Sequence, residues 1–212
     1  MRVSHVALDD FRSYRHAVVE FAPGTTVLLG SNGQGKTNLV EAVSYLSAFS
    51  SHRVSAEQAL VRLPLSPDEA QPGGAVVRVR LVTAGERETV IELEIVRGKA
   101  NRAKVNRTQV RPREVLGLLK SVVFSPEDLQ IVRGDPQVRR QFLDDLLIQQ
   151  HPLIAQVKSD FDKVARQRAA LMKSAQSQLR RGFTPDFSTV EVWDDTFAQL
   201  SAQLSLARGP RL

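Results

Sequence analysis

The sequence predicts an α/β protein with a helical arm, and three patterns support this prediction. An apolar run at 25–29 ends at Gly30 and is followed by an amphipathic stretch over 36–49, which indicates a strand, a glycine-rich loop and a helix. Residues 75–95 alternate between apolar and polar side chains, as antiparallel strands with one buried face do. From Ser125 onward, apolar residues recur at intervals of three and four, which is typical of helices.

Three strands and one helix are predicted near the N-terminus. Short Val-rich patterns at 1–8 and 16–21 predict two strands. The continuous apolar run at 25–29 predicts a central strand that is covered on both faces. The helix over 36–49 carries one apolar stripe, which consists of Leu39, Val40, Val43, Leu46 and Phe49.

The middle of the chain is predicted to be an antiparallel β region. A loop at 64–74, rich in Pro and Gly, precedes it, and turn residues at 84–86 and 97–98 separate its strands. The predicted strands are 75–81, 91–95, 103–105, 108–111 and 121–124.

The C-terminal part is predicted to be helical. Asp135-Pro136 suits a helix start, a second helix begins after His151-Pro152, and a loop at 182–188 precedes a last helix over 190–206. Heptad positions of the second helix are apolar except at Arg168, so it fits either an antiparallel coiled-coil-like arm or a core-facing helix of a small bundle. The apolar heptad residues are Ile154, Val157, Phe161, Val164 and Leu171.

Length and pattern together predict two domains. A chain of 212 residues is long enough for one domain or two small ones. We place a lobe with the glycine-rich loop and the antiparallel β subdomain at 1–124, and a helical arm at 125–212.

Composition excludes several classes of site. The chain has no Cys, which excludes disulfides, cysteine-ligated zinc, iron–sulfur clusters and a thiol nucleophile, and its four His are too scattered for an HExxH zinc site. Lys and Arg number 29 against 23 Asp and Glu, which favours a polyanionic partner. Neither a targeting segment nor an apolar run of about 18 residues occurs, so we expect a cytoplasmic protein without a membrane partner.

Residues 30–37 fit the phosphate-loop pattern GxxxxGK[ST]. Glycines in this pattern let the backbone N–H groups surround a phosphate, and the following helix presents its positive N-terminus to the anion. We expect Lys36 to bridge the β- and γ-phosphates of ATP and the Thr37 hydroxyl to bind Mg²⁺. The predicted nucleotide-binding residues of this loop are Gly30, Ser31, Asn32, Gly33, Gln34, Gly35, Lys36 and Thr37.

Seven short segments occur in the order expected for one ATPase family. They are FRSY at 11–14, NGQGKTNLVEA at 32–42, SHR at 51–53, FSPEDL at 124–129, VRGDP at 132–136, RRQFLD at 139–144 and VWD at 192–194. The series resembles the RecF family of SMC- and ABC-type P-loop ATPases over residues 1 to about 195. The resemblance implies an ABC/SMC-type ATPase N-terminal lobe, with a P-loop α/β part and an antiparallel β subdomain, joined to a helical arm.

The resemblance also implies partners and residue roles. It implies an ATP-dependent homodimer that binds single- and double-stranded DNA at gaps and promotes RecA loading with RecO and RecR. It places Arg12 near the adenine or the phosphates, and Arg53 at the phosphates; for Arg53, a surface arginine on a loop is the alternative. Glu127 and Asp128 are expected either near the Mg²⁺ water shell or as a turn cap.

A basic segment at 97–113 is the candidate DNA-binding surface. It contains seven basic residues and no acid, and alternate residues of short strands would share one face towards the phosphate backbone. A solvated strand face is the alternative. No aromatic residue is interleaved, so base stacking is not predicted. The seven residues are Arg97, Lys99, Arg102, Lys104, Arg107, Arg111 and Arg113.

Two elements of an ABC-type ATPase are missing from the sequence. There is no apolar Walker B run ending in Asp-Asp or Asp-Glu, and no S-G-[GE]-[EQ] signature; FLDD at 142–145 lies in a helical pattern and is rejected. We therefore expect an N-terminal part of a RecF-type protein, one that binds ATP weakly and does not hydrolyse it. A small P-loop kinase and a nucleotide-free module that binds through its basic strands remain open.

Overall fold

The structure is a computed structural model, and it describes residues 1–51, 53–54, 56–184 and 188–209. The chain divides into two compact units, Met1–Gly134 and Asp135–Leu212. The first unit contains a sheet and the helix after the glycine-rich loop, and the second contains three long helices. The functional division at residues 124 and 125 stays a prediction.

Six antiparallel strands form the sheet of the first unit, in the order β2-β1-β3-β4-β5-β6. The register places Val6 beside Val79, and Val79 beside Ile91, so apolar side chains form rows on one buried face. Most of the predicted strands are therefore confirmed. Their bounds are β1 (Arg2–Phe11), β2 (Tyr14–Glu20), β3 (Gly74–Val82), β4 (Glu88–Val96), β5 (Arg102–Val105) and β6 (Thr108–Val110).

Helix α1 (Lys36–Ala48) packs against the buried face of the sheet and confirms the predicted helix. Its buried face differs from the predicted stripe, because Val40 is 42% exposed while Glu41 and Tyr45 are almost fully buried. Both polar side chains have hydrogen-bond partners, which makes their burial tolerable. The apolar residues of α1 that are buried are Leu39, Ala42 and Leu46.

The predictions of strands at 25–29 and 121–124 are wrong for this structure. Neither segment belongs to a strand, and the side chains of Leu29 and Phe124 are 88% and 87% exposed. An extended apolar run becomes a strand only when a neighbouring strand satisfies its N–H and C=O groups. Among the described residues, no named strand pairs with either segment.

Within the described residues, four helices follow the sheet, and α3 begins as predicted. The Asp135 carboxylate accepts a hydrogen bond from the backbone N–H of Gln137 at 2.7 Å, and Pro136 occupies the first turn. Residues 185–187 of the predicted loop lie outside the described residues. The helices are α2 (Leu129–Arg133), α3 (Pro136–Gln150), α4 (Ile154–Arg180) and α5 (Ser188–Arg208).

Helices α4 and α5 form an antiparallel pair in the second unit. The rings of Phe161 and Phe197 lie 5.2 Å apart, and Arg168 Nε donates to Asp194 at 2.5 Å. The interruption of the heptad at Arg168 is therefore a polar contact between the two helices. Since α3 also contacts both of them, the unit combines a long helical pair with a small bundle.

Asp144 ties α3 to α5 inside the second unit. Its side chain is 2% exposed, and Arg208 donates to its Oδ1 from Nε at 2.9 Å and from Nη2 at 2.6 Å. Lys158 Nζ lies 3.9 Å from the other carboxylate oxygen. The predicted helical setting of FLDD at 142–145 is confirmed, because these residues lie within α3.

In the part of the chain that the structure describes, no helix combines the length and the apolar character needed to cross a bilayer.

Candidate nucleotide-binding site

The loop at 30–37 has the positive φ angles that its glycine pattern predicts. Gly30, Gly33 and Gly35 have φ angles of 150°, 82° and 91°, which disfavour side chains other than hydrogen. Lys36 Nζ turns back over the loop and donates to the carbonyl oxygens of Gly30 at 2.7 Å and Ser31 at 2.6 Å. The lysine charge therefore lies at the mouth of the loop, at the N-terminus of α1, where an anion is favoured.

Close packing against the β1–β2 turn fixes the end of this loop. A Cβ atom at Gly35 would lie 2.8 Å from the hydroxyl oxygen of Ser13 and 3.0 Å from the Tyr14 ring, so a larger residue would have to displace these side chains as well as adopt an unfavourable φ. Gln34 closes the loop on itself, because its side-chain oxygen accepts from the Ser31 N–H at 3.0 Å. Thr37 follows in the first turn of α1 and is exposed. Nucleotide contacts by these residues stay predictions.

Arg12 is held rigidly beside α1. It lies just after β1 with a φ of 53°, and its Nε and Nη2 donate to the two carboxylate oxygens of Glu41 at 2.9 and 2.6 Å. Its Nη1 donates to the carbonyl oxygen of Ala59 at 3.0 Å. All three guanidinium nitrogens of Arg12 are therefore used in contacts within the first unit.

Arg53 reaches the same carboxylate by a looser contact. One of its terminal nitrogens, Nη1, donates to Asn38 Oδ1 at 2.8 Å and to Glu41 Oε2 at 3.2 Å. The structure thus brings Arg12 and Arg53, two residues predicted to serve the nucleotide, together at α1. Of the SHR segment, His52 lies outside the described residues.

Glu41 is the functional candidate that the sequence interpretation did not single out. Burial raises the pKa of the Glu41 carboxyl, but hydrogen bonds from Arg12 and Ser51 and the charges of Arg12 and Arg53 outweigh burial and hold it below 4.5. Ser51 Oγ donates to it at 2.5 Å. The sequence signal that could have pointed to Glu41 is an acidic residue on the buried side of α1. A buried carboxylate requires cationic or hydrogen-bonding partners, so such a residue indicates a polar cluster.

Asp128 caps a turn in the first unit. Its carboxylate accepts from the backbone N–H of Ser125 at 2.6 Å and from the Ser125 hydroxyl at 3.3 Å. This is the geometry of the turn-cap alternative. A contact of Asp128 with the water shell of Mg²⁺ stays a prediction.

The basic segment at 97–113 is less uniform in charge than its sequence suggests. Arg102 and Lys104 share one face of β5, as predicted, but Lys104 Nζ lies 2.7 Å from Glu92, and Arg102 lies 3.6 Å from Glu94 on the neighbouring strand. The pKa of Glu92 lies below its ordinary value, chiefly because Lys104 donates a hydrogen bond to its carboxylate. Burial raises this pKa, but a hydrogen bond from Arg78 lowers it further. Two of the seven predicted DNA contacts therefore lie beside carboxylates of the neighbouring strand.

The remaining basic residues lie mainly in turns at the ends of β5 and β6. Lys99 lies between β4 and β5, Arg107 lies in the β5–β6 turn with a φ of 70°, and Arg111 follows β6; all three are exposed. Arg97 is half-buried, and Arg113 lies in a short 3-10 turn. Their contacts with DNA stay predictions.

Comparisons with known proteins show the family to which the chain belongs. The chain belongs to the RecF/RecN/SMC N terminal domain family, whose pattern matches residues 2–209. It is 49% identical over 209 residues to the DNA replication and repair protein RecF of Frankia alni, covering 98% of this chain and 53% of that protein. It is 51% identical over 212 residues to RecF of Beutenbergia cavernae, covering 98% and 51%. The chain spans about half the length of the curated relatives it matches.

A solved structure supports the same fold. The recombination mediator protein RecF-ATP in the RecFOR pathway superimposes with a TM-score of 0.81 and 27% identity, covering 98% of this chain and 53% of that one. The fold is therefore the N-terminal fold of RecF and SMC ATPases, with an antiparallel sheet and helices, as predicted. The family assignment gives no support to the kinase alternative.

Proposed function

We propose that this chain is the nucleotide-binding N-terminal part of a RecF-type DNA replication and repair protein. Its loop at 30–37 binds ATP, with Lys36 on the phosphates and Thr37 on Mg²⁺. Arg53 adds a further phosphate contact, and Arg12 lies beside the site. The observation that carries the proposal is the position of Lys36 Nζ, 2.7 and 2.6 Å from two loop carbonyl oxygens at the N-terminus of α1. A relative with the same fold is described as RecF-ATP.

Replacing Lys36 with Ala tests the nucleotide proposal. We expect the affinity for MgATP, measured by isothermal titration calorimetry, to fall about 100-fold, because hydrogen bonds to charged groups contribute roughly 1.5–3 kcal/mol each. Lys120, an exposed lysine of the same unit, provides the control, and Lys120→Ala should bind MgATP like the wild type. Equal affinities for the Lys36→Ala variant and the wild type would refute the proposal.

We further propose that this chain binds ATP without hydrolysing it. The sequence contains neither a Walker B run nor an S-G-[GE]-[EQ] signature, so no residue of these motifs is present to activate water. The apolar segments at 25–29 and 121–124 would become strands when further strands, supplied by the rest of a longer RecF-type protein, pair with them. Their exposure in this structure supports that proposal.

DNA binding is the second part of the proposed function. In the proposed role the protein binds single- and double-stranded DNA at gaps, forms an ATP-dependent homodimer and promotes RecA loading with RecO and RecR. The names of the RecF relatives support a role in replication and repair. Within this chain we assign the DNA contacts to the segment at 97–113, chiefly to the exposed turn residues Lys99, Arg107 and Arg111.

Neutralising these three turn residues tests the DNA proposal. For the triple variant K99A/R107A/R111A we expect weaker binding to duplex DNA regardless of sequence. The slope of log affinity against log salt should fall by about 2 to 3, because each phosphate contact contributes roughly 0.9. The control K163A/R166A/K173A removes the same charge from exposed positions on α4. Equal losses in both variants would show that net charge alone matters and would contradict the assignment.

A further inference from the structure

The two arginines beside α1 are held in different ways. Arg12 uses Nε and Nη2 on Glu41 and Nη1 on the carbonyl of Ala59, and its side chain is 17% exposed. Arg53 uses Nη1 alone, and its side chain is 33% exposed. Among the described residues, Nε and Nη2 of Arg53 have no hydrogen-bond acceptor. Arg12 therefore uses all three guanidinium nitrogens, whereas the residues that the structure describes occupy only one nitrogen of Arg53.

The residue that holds Arg53 lies at the start of α1. Asn38 follows Lys36 and Thr37 in the first turn of α1, and one helical turn rises only about 5.4 Å. The Asn38 amide also donates to Ser13 Oγ at 2.9 Å, which fixes the orientation of its oxygen towards Arg53. Arg53 Nη1 is thus anchored within about one turn of the loop that would hold the phosphates.

We propose that Asn38 and Glu41 are positioning residues for Arg53 in the nucleotide site. They hold Nη1, so that Nε and Nη2 remain free to donate to a phosphate oxygen of the bound nucleotide. Arg12 serves this arrangement by fixing the buried Glu41 carboxylate. The inference rests on the proposed nucleotide-binding function and adds residues that act through Arg53 and do not touch the nucleotide themselves.

The contacts of Arg53 with Asn38 and Glu41 do not compete with a phosphate. They use Nη1, whereas the phosphate would bind Nε and Nη2 of the same planar guanidinium. An arginine that is already oriented loses less side-chain entropy when the phosphate arrives. Loss of the holding contacts should therefore weaken nucleotide binding. This loss of nucleotide affinity should occur only when Arg53 is present. If the substitution instead disturbed the structure in general, the affinity would fall whether or not Arg53 is present.

A double-mutant cycle tests this dependence. MgATP is titrated into the wild type, Asn38→Ala, Arg53→Ala and the double variant. We expect Asn38→Ala to weaken binding by about three- to tenfold and Arg53→Ala by about tenfold or more. The double variant should bind like Arg53→Ala, within about twofold. Glu41→Gln should weaken MgATP binding at least as much as Asn38→Ala. If the Glu41→Gln variant does not fold, the double-mutant cycle of Asn38 and Arg53 alone tests the inference.

Controls separate this inference from the proposed function and from a structural effect. Asn38→Ala should keep the thermal midpoint within about 2 °C of the wild type, as a half-exposed polar substitution does. Glu57→Gln alters another acceptor that contacts α1, at Tyr45, and should leave the affinity unchanged. Unchanged affinity in Asn38→Ala, or additive losses in the double variant, would overturn the inference while leaving the proposed function intact. If MgATP fails to bind the wild type, or binds it no better than Lys36→Ala, the proposed function fails as well.

Discussion

Replacing Glu41 with Ala should lower the free energy of unfolding of the first unit by about 3–5 kcal/mol, because it leaves a largely buried arginine without its counter-ion. Glu41 is 2% exposed, and the Arg12 guanidinium that binds it with two nitrogens is 17% exposed in its side chain. Denaturant-dependent hydrogen exchange of the amides in β1, β3 and β4 measures this loss, because these strands contain most of the buried core.

An exposed acid in β4 of the same unit provides the matched control. Glu88 is 57% exposed in its side chain and lies 3.8 Å from Arg80, so Glu88→Ala should cost less than about 1 kcal/mol. Similar small losses in both variants would contradict the importance that we give to the buried pair.

The effect of Glu41 should also depend on pH. The pKa of Glu41 in the folded protein lies below its ordinary value of 4.5, so the unfolded chain takes up the proton first as the pH falls. The stability difference between the wild type and Glu41→Ala should be fully present above pH 4.5. It should disappear as the pH falls through the lower pKa of the folded state.

Replacing Asp144 with Ala should destabilise the second unit by about 2–3 kcal/mol, because two nitrogens of Arg208 lose their carboxylate acceptor. The sequence has a single Trp, Trp193, which lies in α5, so its fluorescence during urea unfolding reports on this unit. Asp195→Ala changes an exposed aspartate two residues beyond the tryptophan and should shift the unfolding free energy by less than about 0.5 kcal/mol. Equal unfolding midpoints for the Asp144→Ala variant and the wild type would contradict the role assigned to the buried ion pair.

Local patterns were enough to predict the backbone of the glycine-rich loop and the helix that follows it. The glycines at 30, 33 and 35 have the positive φ angles that the motif requires, and α1 begins at Lys36 as the amphipathic pattern indicates. The start of α3 at Asp135-Pro136 was equally predictable, because a cap and a proline act within one helical turn.

Features that depend on distant partners were not predictable in this way. Burial of Glu41 depends on Arg12, Ser51 and Arg53, which lie elsewhere in the sequence. The basic segment at 97–113 contains no acid, yet Glu92 of the adjacent strand pairs with Lys104. The runs at 25–29 and 121–124 have strand-like composition, but no described strand pairs with them. In each case the outcome depends on whether residues far away in the sequence supply a partner, and a local sequence pattern does not contain that information.

We propose that the loop at 30–37 holds the phosphates of ATP. The most direct measurement is a titration of MgATP into the chain, followed through its backbone amide resonances. We expect the largest changes at residues 30–38, where the N–H groups of the loop and the first turn of α1 would surround the phosphates. At the same MgATP concentration, Lys36→Ala should make these changes much smaller. Changes confined to other parts of the chain, or identical changes in Lys36→Ala, would contradict the claim.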